Sequence, residues 1–457
     1  MVRRGAAIAA LLSPAQASAH AGEQSFVLLL PTGYYAAGGV AAVALTALLV
    51  ALMPGRGGAV FSTRSLGRSA RVRGRLLTSC VACAGLMVLI GIGMAGTQDP
   101  TRNALPLVIW TLLWIGLVVV QGVAGDMWRW INPWDGPVAI ARAAGIRPVA
   151  RLPSRLGHLP ALAGLMAVTA FLLTDPAPAA PERLARIALG WWSAHFAGAL
   201  VFGRRWLIRA EPLGCLFRCY AALAPFGKRH GGWRVGLPGW QVLTRGAPSL
   251  SLALFIIALL ATGSFDGLYE TFWWLGLTGI NHLDHPGRSA VVAPNLAGLL
   301  AAVPMLAAVC GMAVWLGLRL AGQGGFIQAF RALAPALLPI AFAYHVAHYL
   351  PVFLVDAQHA AIALNDPLAR GANLLGLEGA RVTTGFFNRL PSVRLIWLAQ
   401  GAVIVAGHAA GILLSHAIAL RLAGDPRRAV AAQAPLALLM VAYTLFGLWL
   451  LAAPRGG

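Results

Sequence analysis

The sequence predicts an all-α, polytopic transmembrane helical bundle of about ten spans with both termini outside, and three observations carry that expectation. Of 457 residues, 59% are hydrophobic and only 11% charged, and the mean hydropathy is +0.74. A soluble domain carries roughly 25% charged residues, so a chain this poor in charge cannot clothe a water-facing particle of its size. Second, apolar runs of bilayer length recur along the chain, at residues 30–53, 77–95, 105–124, 159–174, 184–202, 250–265, 291–318, 333–355, 395–420 and 430–453. Third, the charges are sorted by side. With the mature N-terminus outside, the loops at 54–76, 125–158, 203–249, 319–332 and 421–429 fall in the cytoplasm and hold 24 Lys and Arg. The outward segments hold 9, and the acids run the other way, 4 inside against 10 outside. Adding or removing one span breaks this alternation, which the positive-inside rule requires.

The first nineteen residues read as a cleaved signal peptide. Arg3 and Arg4 form a basic n-region, residues 6–12 a short apolar core, and Ala17-Ser18-Ala19 an A-x-A cleavage site. Residues 20–457 then form a single integral membrane domain. His20 becomes the new N-terminus, where its amine and ring nitrogen could chelate copper if a further His lay close. Placement in a bacterial cytoplasmic (inner) membrane follows, with the lipid bilayer as principal partner. The net charge of +21 does not indicate nucleic acid, because it is distributed by topology rather than gathered on one soluble domain.

Two loops are more than connectors. Residues 125–135 read G-D-M-W-R-W-I-N-P-W-D, whose Trp128, Trp130 and Trp134 suit an interfacial belt. The segment 213–223 is amphipathic and is expected to lie on the membrane surface. The five cysteines include a C-x-x-C at Cys80 and Cys83 and a C-x-x-x-C at Cys215 and Cys219. Both pairs fall on the cytoplasmic side and read as reduced and structural.

Chemistry enters through the polar residues inside the spans. Ionisable groups at membrane depth are costly and mark functional sites. His195, His345 and His408 sit near the middle of the fifth, eighth and ninth spans. On the eighth, His345, His348, Asp356 and His359 fall within roughly an 80° arc of one helical face. Gln400, His408 and Ser415 or His416 form a comparable face on the ninth, with Gly407 and Gly411 beside His408 allowing close helix approach. Such a set admits three readings: imidazoles and a carboxylate holding a divalent metal ion, two imidazoles facing across helices to hold a b-type haem, or a His/Asp chain relaying protons. The outward loop after the sixth span adds Asp266, Glu270, His282, Asp284 and His285, with Asp266 and Glu270 nearest the membrane. Its H-x-D-H lacks the first His of a binuclear zinc set, since Ile280 stands there. G-x-S-x-G, P-loop, H-E-x-x-H and Rossmann patterns are missing, so any hydrolysis would be metal-assisted or carboxylate-based.

Several stretches resemble the bacterial integral membrane family known as fenitrothion hydrolase. They are G-D-M-W-R-W-I-N-P-W from Gly125, S-F-D-G-L from Ser264, A-Y-H-V-A-H-Y from Ala343, N-D-P-L-A-R-G from Asn365 and A-G-H-A-A-G-I-L-L-S-H from Ala406. The resemblance spreads over most of the mature chain and keeps its order. It implies hydrolysis of an organophosphorus triester by a metal-bound hydroxide, with His348, His408 and Asp356 as first ligands and His345 as a further one. Asp266 or Glu270 would then serve as base. The alternatives that remain are a metal-ion or proton transporter or channel, and a b-type haem electron-transfer protein.

Overall fold

The computed structural model describes residues 29–52, 59–68, 74–229, 231–281 and 288–455, together with Val27. The chain is an all-α bundle, and among the described residues eight helices are long and apolar enough to cross a membrane. These are α1 (Thr32–Leu52), α2 (Arg75–Ala95), α3 (Ala104–Ala124), α7 (Leu250–Leu268), α8 (Arg288–Leu320), α9 (Phe326–Asn365), α10 (Leu390–Ala423) and α11 (Pro426–Ala452). The expected spans at 159–174 and 184–202 both form helices, α4 (Leu159–Thr174) and α5 (Pro181–Phe202). At 16 residues, α4 reaches only about 24 Å, short of a ~30 Å hydrocarbon core. α5 carries Glu182, Arg183 and Arg186 in its first turns, which dilute its apolar run. The signal peptide, His20, His282, Asp284 and His285 lie outside the described residues.

Side-chain hydrogen bonds start several of these helices. Ser249 caps α7 by accepting from Leu252 N, and Asp425 caps α11 by accepting from Arg428 N at 2.8 Å. Each satisfies one of the N–H groups that a helix start leaves open. The bundle is centred on α7, α9 and α10. Of the most apolar stretch of each, 72%, 67% and 56% of residues are buried inside the protein, against 6% for α1. α1 is apolar all round and packs chiefly along α10 and α11 among the described residues, leaving an apolar surface suited to lipid. α9 and α10 run antiparallel in close contact. A Cβ on Gly407 would lie 2.3 Å from Ala343 Cβ, so glycine is what permits the approach.

Two loop expectations change. The amphipathic segment forms α6 (Pro212–Ala221), but eight of its ten residues are buried, so it is a packed element rather than a surface one. Its apolar face finds protein partners, Trp128 above all, whose ring lies 4.8 Å from Phe217. Trp128 and Trp134 are likewise core residues, 4% and 2% exposed. Trp134 donates to the carbonyl of Trp192 at 2.9 Å, which removes any need for interfacial water. A three-stranded antiparallel sheet, β1 (Thr63–Arg68), β2 (Phe226–Arg229) and β3 (Gly232–Gly236) in the order β1-β3-β2, ties the first basic loop to the third. Nothing in the sequence pattern foretold it, because its strands are short and glycine-broken, and β1 pairs with β3 across a long separation.

Candidate functional site

The polar residues inside the bundle meet where α7, α9 and α3 touch. Asp266, two residues before the end of α7, is 8% exposed. Tyr349 on α9 donates its hydroxyl to Asp266 Oδ2 in a short hydrogen bond, and His348 Nε2 lies 3.4 Å from the same oxygen. The Tyr349 hydroxyl in turn accepts from Trp114 Nε1 at 3.0 Å. His345, one turn earlier on α9, holds the backbone carbonyl of Trp114 at 2.9 Å through Nε2. A carbonyl only accepts, so Nε2 carries the proton there. α3 is widened to a π-helix over Leu107–Leu117, and Trp114 offers both its indole N–H and its carbonyl to α9 from that stretch. At eleven residues the stretch runs well beyond the single-turn bulge in which π geometry mostly occurs.

Rings pack the cluster. His348 stacks on Tyr344 with centroids 5.7 Å apart and planes 10° from parallel, and Tyr349 lies 4.8 Å from both His345 and His348. A small cavity of about 20 Å³ adjoins it, lined by Asp266, His345, Tyr349, Trp114, Tyr220 and the hydroxyl residues Thr169 and Thr262. That is room for about one water molecule. Tyr220 comes from α6, so the loop helix supplies part of the wall.

The other expected residues make different contacts. His408 on α10 gives its Nδ1 proton to Ile404 O at 2.9 Å, while its Nε2 is buried and unpartnered. Its ring lies 6.4 Å from Tyr443, whose hydroxyl shares a 2.6 Å hydrogen bond with Ser264. Glu270 lies beyond the end of α7 and accepts from Tyr269 Oη at 2.6 Å. Asp356 is eight residues beyond His348 on α9, about 12 Å along the axis, too far for both to ligate one ion. His195 sits in a separate aromatic box of Trp134, Trp191 and Trp206, with Trp206 Nε1 donating to its Nδ1 at 3.1 Å. The rings against His345 are different ones, Trp114, Tyr220 and Tyr349.

The structure therefore brings Asp266, His345 and His348 together, with Glu270 bonded to the adjoining Tyr269, and leaves Asp356 and His408 outside that group. No group of three or more His, Cys, Asp or Glu able to hold a metal ion occurs among the described residues. Asp266 and His348 offer two donors at one point, whereas zinc takes four ligands and calcium six to eight. The 20 Å³ cavity has no space for a porphyrin. As arranged, the described residues do not fit a resident ion or a haem.

Sequence reasoning missed Tyr344, Tyr349, Trp114, Ser264 and Tyr443. A signal was there for the first two, since A-Y-H-V-A-H-Y places two phenols beside two imidazoles in an apolar span. Trp114 gave none, because its role depends on the π-helical turn.

The chain has no matching family model, and no curated protein or solved structure is significantly similar to it.

Proposed function

We propose that this chain is a proton-transferring membrane protein of the bacterial cytoplasmic membrane, with the Asp266–His348 pair as its proton-binding centre. One observation carries the reading. A carboxylate inside the bundle has an imidazole and a phenol on the same oxygen. In a low-dielectric interior a lone carboxylate is too costly to keep charged. Asp266 is tolerable either neutral, with a proton of its own, or ionic beside a protonated His348. The two states differ by the position of one proton, which Tyr349 helps to hold in place. A group that must take up or give up a proton to change partners is the working part of a proton carrier.

The residues around the pair divide the labour. Trp114 fixes the Tyr349 hydroxyl and, through its carbonyl, the ring of His345. The neighbouring cavity admits water and little else, so protons rather than larger solutes reach the carboxylate. The ten-span topology with both ends outside is part of this proposal. It rests on the charge asymmetry and places Asp266 in the outer half of the bilayer.

The test is proton flux into liposomes. Purified protein is reconstituted with a trapped pH dye, and a potassium diffusion potential is imposed. Wild type should acidify the lumen faster than empty liposomes, and Asp266→Asn should lose at least tenfold of that rate. Wild-type flux no faster than empty liposomes, or an undiminished Asp266→Asn, overturns the proposal.

The resemblance to fenitrothion hydrolases supports a second reading at the same pair. His348 and Asp266 would take the proton from a water in the cavity as it attacks phosphorus, and the aryloxide would leave. For a triester to reach that water, α7 and α9 must part. Release of nitrophenol from a chromogenic phosphotriester by wild type, and not by Asp266→Asn, would favour this reading over the first.

A further inference from the structure

Three polar atoms in the middle of the bundle are fully buried and have no partner in the protein: His348 Nδ1, Tyr344 Oη and His408 Nε2. Buried polar groups in native proteins are almost always satisfied, and where protein supplies no partner, ordered water does. The three belong to one stretch of the interior. Tyr344 stacks on His348, and its hydroxyl is pressed so close to Gly267 that a Cβ there would lie 1.7 Å away. The Tyr344 ring also passes Gly263, at 3.6 Å from its Cβ position, next to Ser264. Ser264 holds Tyr443 at 2.6 Å, and the Tyr443 ring lies 6.4 Å from His408.

Depth follows from how α9 and α10 face one another. Gln400 donates to Ala347 O at 2.8 Å, and Gly407 packs on Pro339 and Ala343. His408 is thus level with about residue 340, and His348 stands roughly 12 Å further toward the outer end of α9. Tyr344 lies midway.

We infer that His408 is a second proton station, joined to the Asp266–His348 pair by internal water held between Tyr344, Ser264 and Tyr443. This inference rests on the proton-transfer reading above and gives it a direction, inward from the outer half of the membrane. The chemistry balances on the tautomers the hydrogen bonds fix. His408 Nδ1 carries a proton, because Ile404 O can only accept, so its Nε2 is a bare lone pair able to receive one. In His348, Nε2 faces Asp266, so a second proton on the ring resides on Nδ1. That proton passes to a water, and a proton of the water chain arrives at His408 Nε2. His348 returns to neutral and His408 becomes imidazolium. No bond to carbon or nitrogen other than N–H changes.

The experiment has a structural and a functional arm. Electron cryo-microscopy of the full chain in lipid nanodiscs, at a resolution that shows water, should find ordered waters within hydrogen-bonding distance of His348 Nδ1, Tyr344 Oη and His408 Nε2. A dry interior with these atoms still unpartnered overturns the inference. In liposomes, His408→Gln should lower proton flux at least tenfold and Tyr344→Phe severalfold. Infrared difference spectra of both variants should still show the Asp266 carboxyl band titrating. His408→Gln with wild-type flux and a titrating band refutes this inference alone. A wild-type protein with neither flux nor an Asp266 band refutes the proton-transfer reading, and this one with it. Size-exclusion profiles matching wild type establish that the variants are folded. If His408→Gln fails that check, Tyr344→Phe, which deletes one oxygen, decides the functional arm.

Discussion

Replacing Tyr349 by Phe removes one oxygen atom and leaves the ring, so the loss can be worked out from the bonds that oxygen makes. The hydroxyl donates to Asp266 and accepts from Trp114 Nε1 at 3.0 Å. A hydrogen bond to a charged group contributes about 1.5–3 kcal/mol, and orphaning a buried donor costs about 1–3 kcal/mol. Water can enter the 20 Å³ cavity and recover part of this. Tyr349→Phe should therefore destabilise the protein by about 2–5 kcal/mol, measured by reversible unfolding in mixed micelles and followed by tryptophan fluorescence. The partner variant Trp114→Phe removes the donor instead. In the double variant the indole N–H is no longer orphaned, so the two losses should fall short of additivity by about 1 kcal/mol or more. A Tyr349→Phe protein within about 0.5 kcal/mol of wild type, or strict additivity in the double variant, would refute the geometry described for Asp266, Tyr349 and Trp114.

Two further changes probe the supports of the site. Glu211 caps α6, accepting from Leu213 N at 2.8 Å and from Gly214 N, and it is fully buried. Burial pushes its carboxyl up from 4.5 to about 7, against the two N–H groups and Arg218. Its folded value thus stands above its unfolded one. The contribution to stability is full below about pH 4.5 and is lost as the pH rises through about 7, a swing of up to about 3 kcal/mol. Melting temperature should fall over that window in wild type and stay flat in Glu211→Gln; a wild-type melt independent of pH contradicts this. Gly407→Ala puts a Cβ 2.3 Å from Ala343 Cβ and 2.7 Å from Pro339 O, so α9 and α10 must separate by about an ångström. The cost should be about 1–3 kcal/mol with slower proton flux, and an unaltered melt would show that the helices are not in contact there.

Much of the architecture was legible in the sequence because lipid is a simple solvent. It demands long apolar runs, helices that satisfy their own backbone, and positive charge on one side, and each demand leaves a mark in composition. The eight apolar helices follow from those marks, and so does the close pass of α9 and α10 at Gly407. The marks weaken where lipid is not the partner. α4 and α5 are short or charged, α6 and Trp128 are buried against protein, and the basic loops pair into a sheet. For these, hydrophobic pattern says only that something apolar is covered, not by what.

The site was legible in kind but not in membership. Sequence periodicity assigned His345, His348 and Asp356 to one face of a helix, and a face is an angle with no depth in it. The rise of a helix then separates Asp356 from His348 by about 12 Å, while Asp266 arrives from another helix at the depth of His348. Which imidazole meets which carboxylate depends on the vertical register of α7 against α9, and on a π-helical stretch in α3 that presents Trp114. Register is set by many small packing contacts, each worth little and none written in one residue. The sequence alone determined that polar groups are buried in this membrane protein; only the packing of α3, α7, α9 and α10 decided which of them meet.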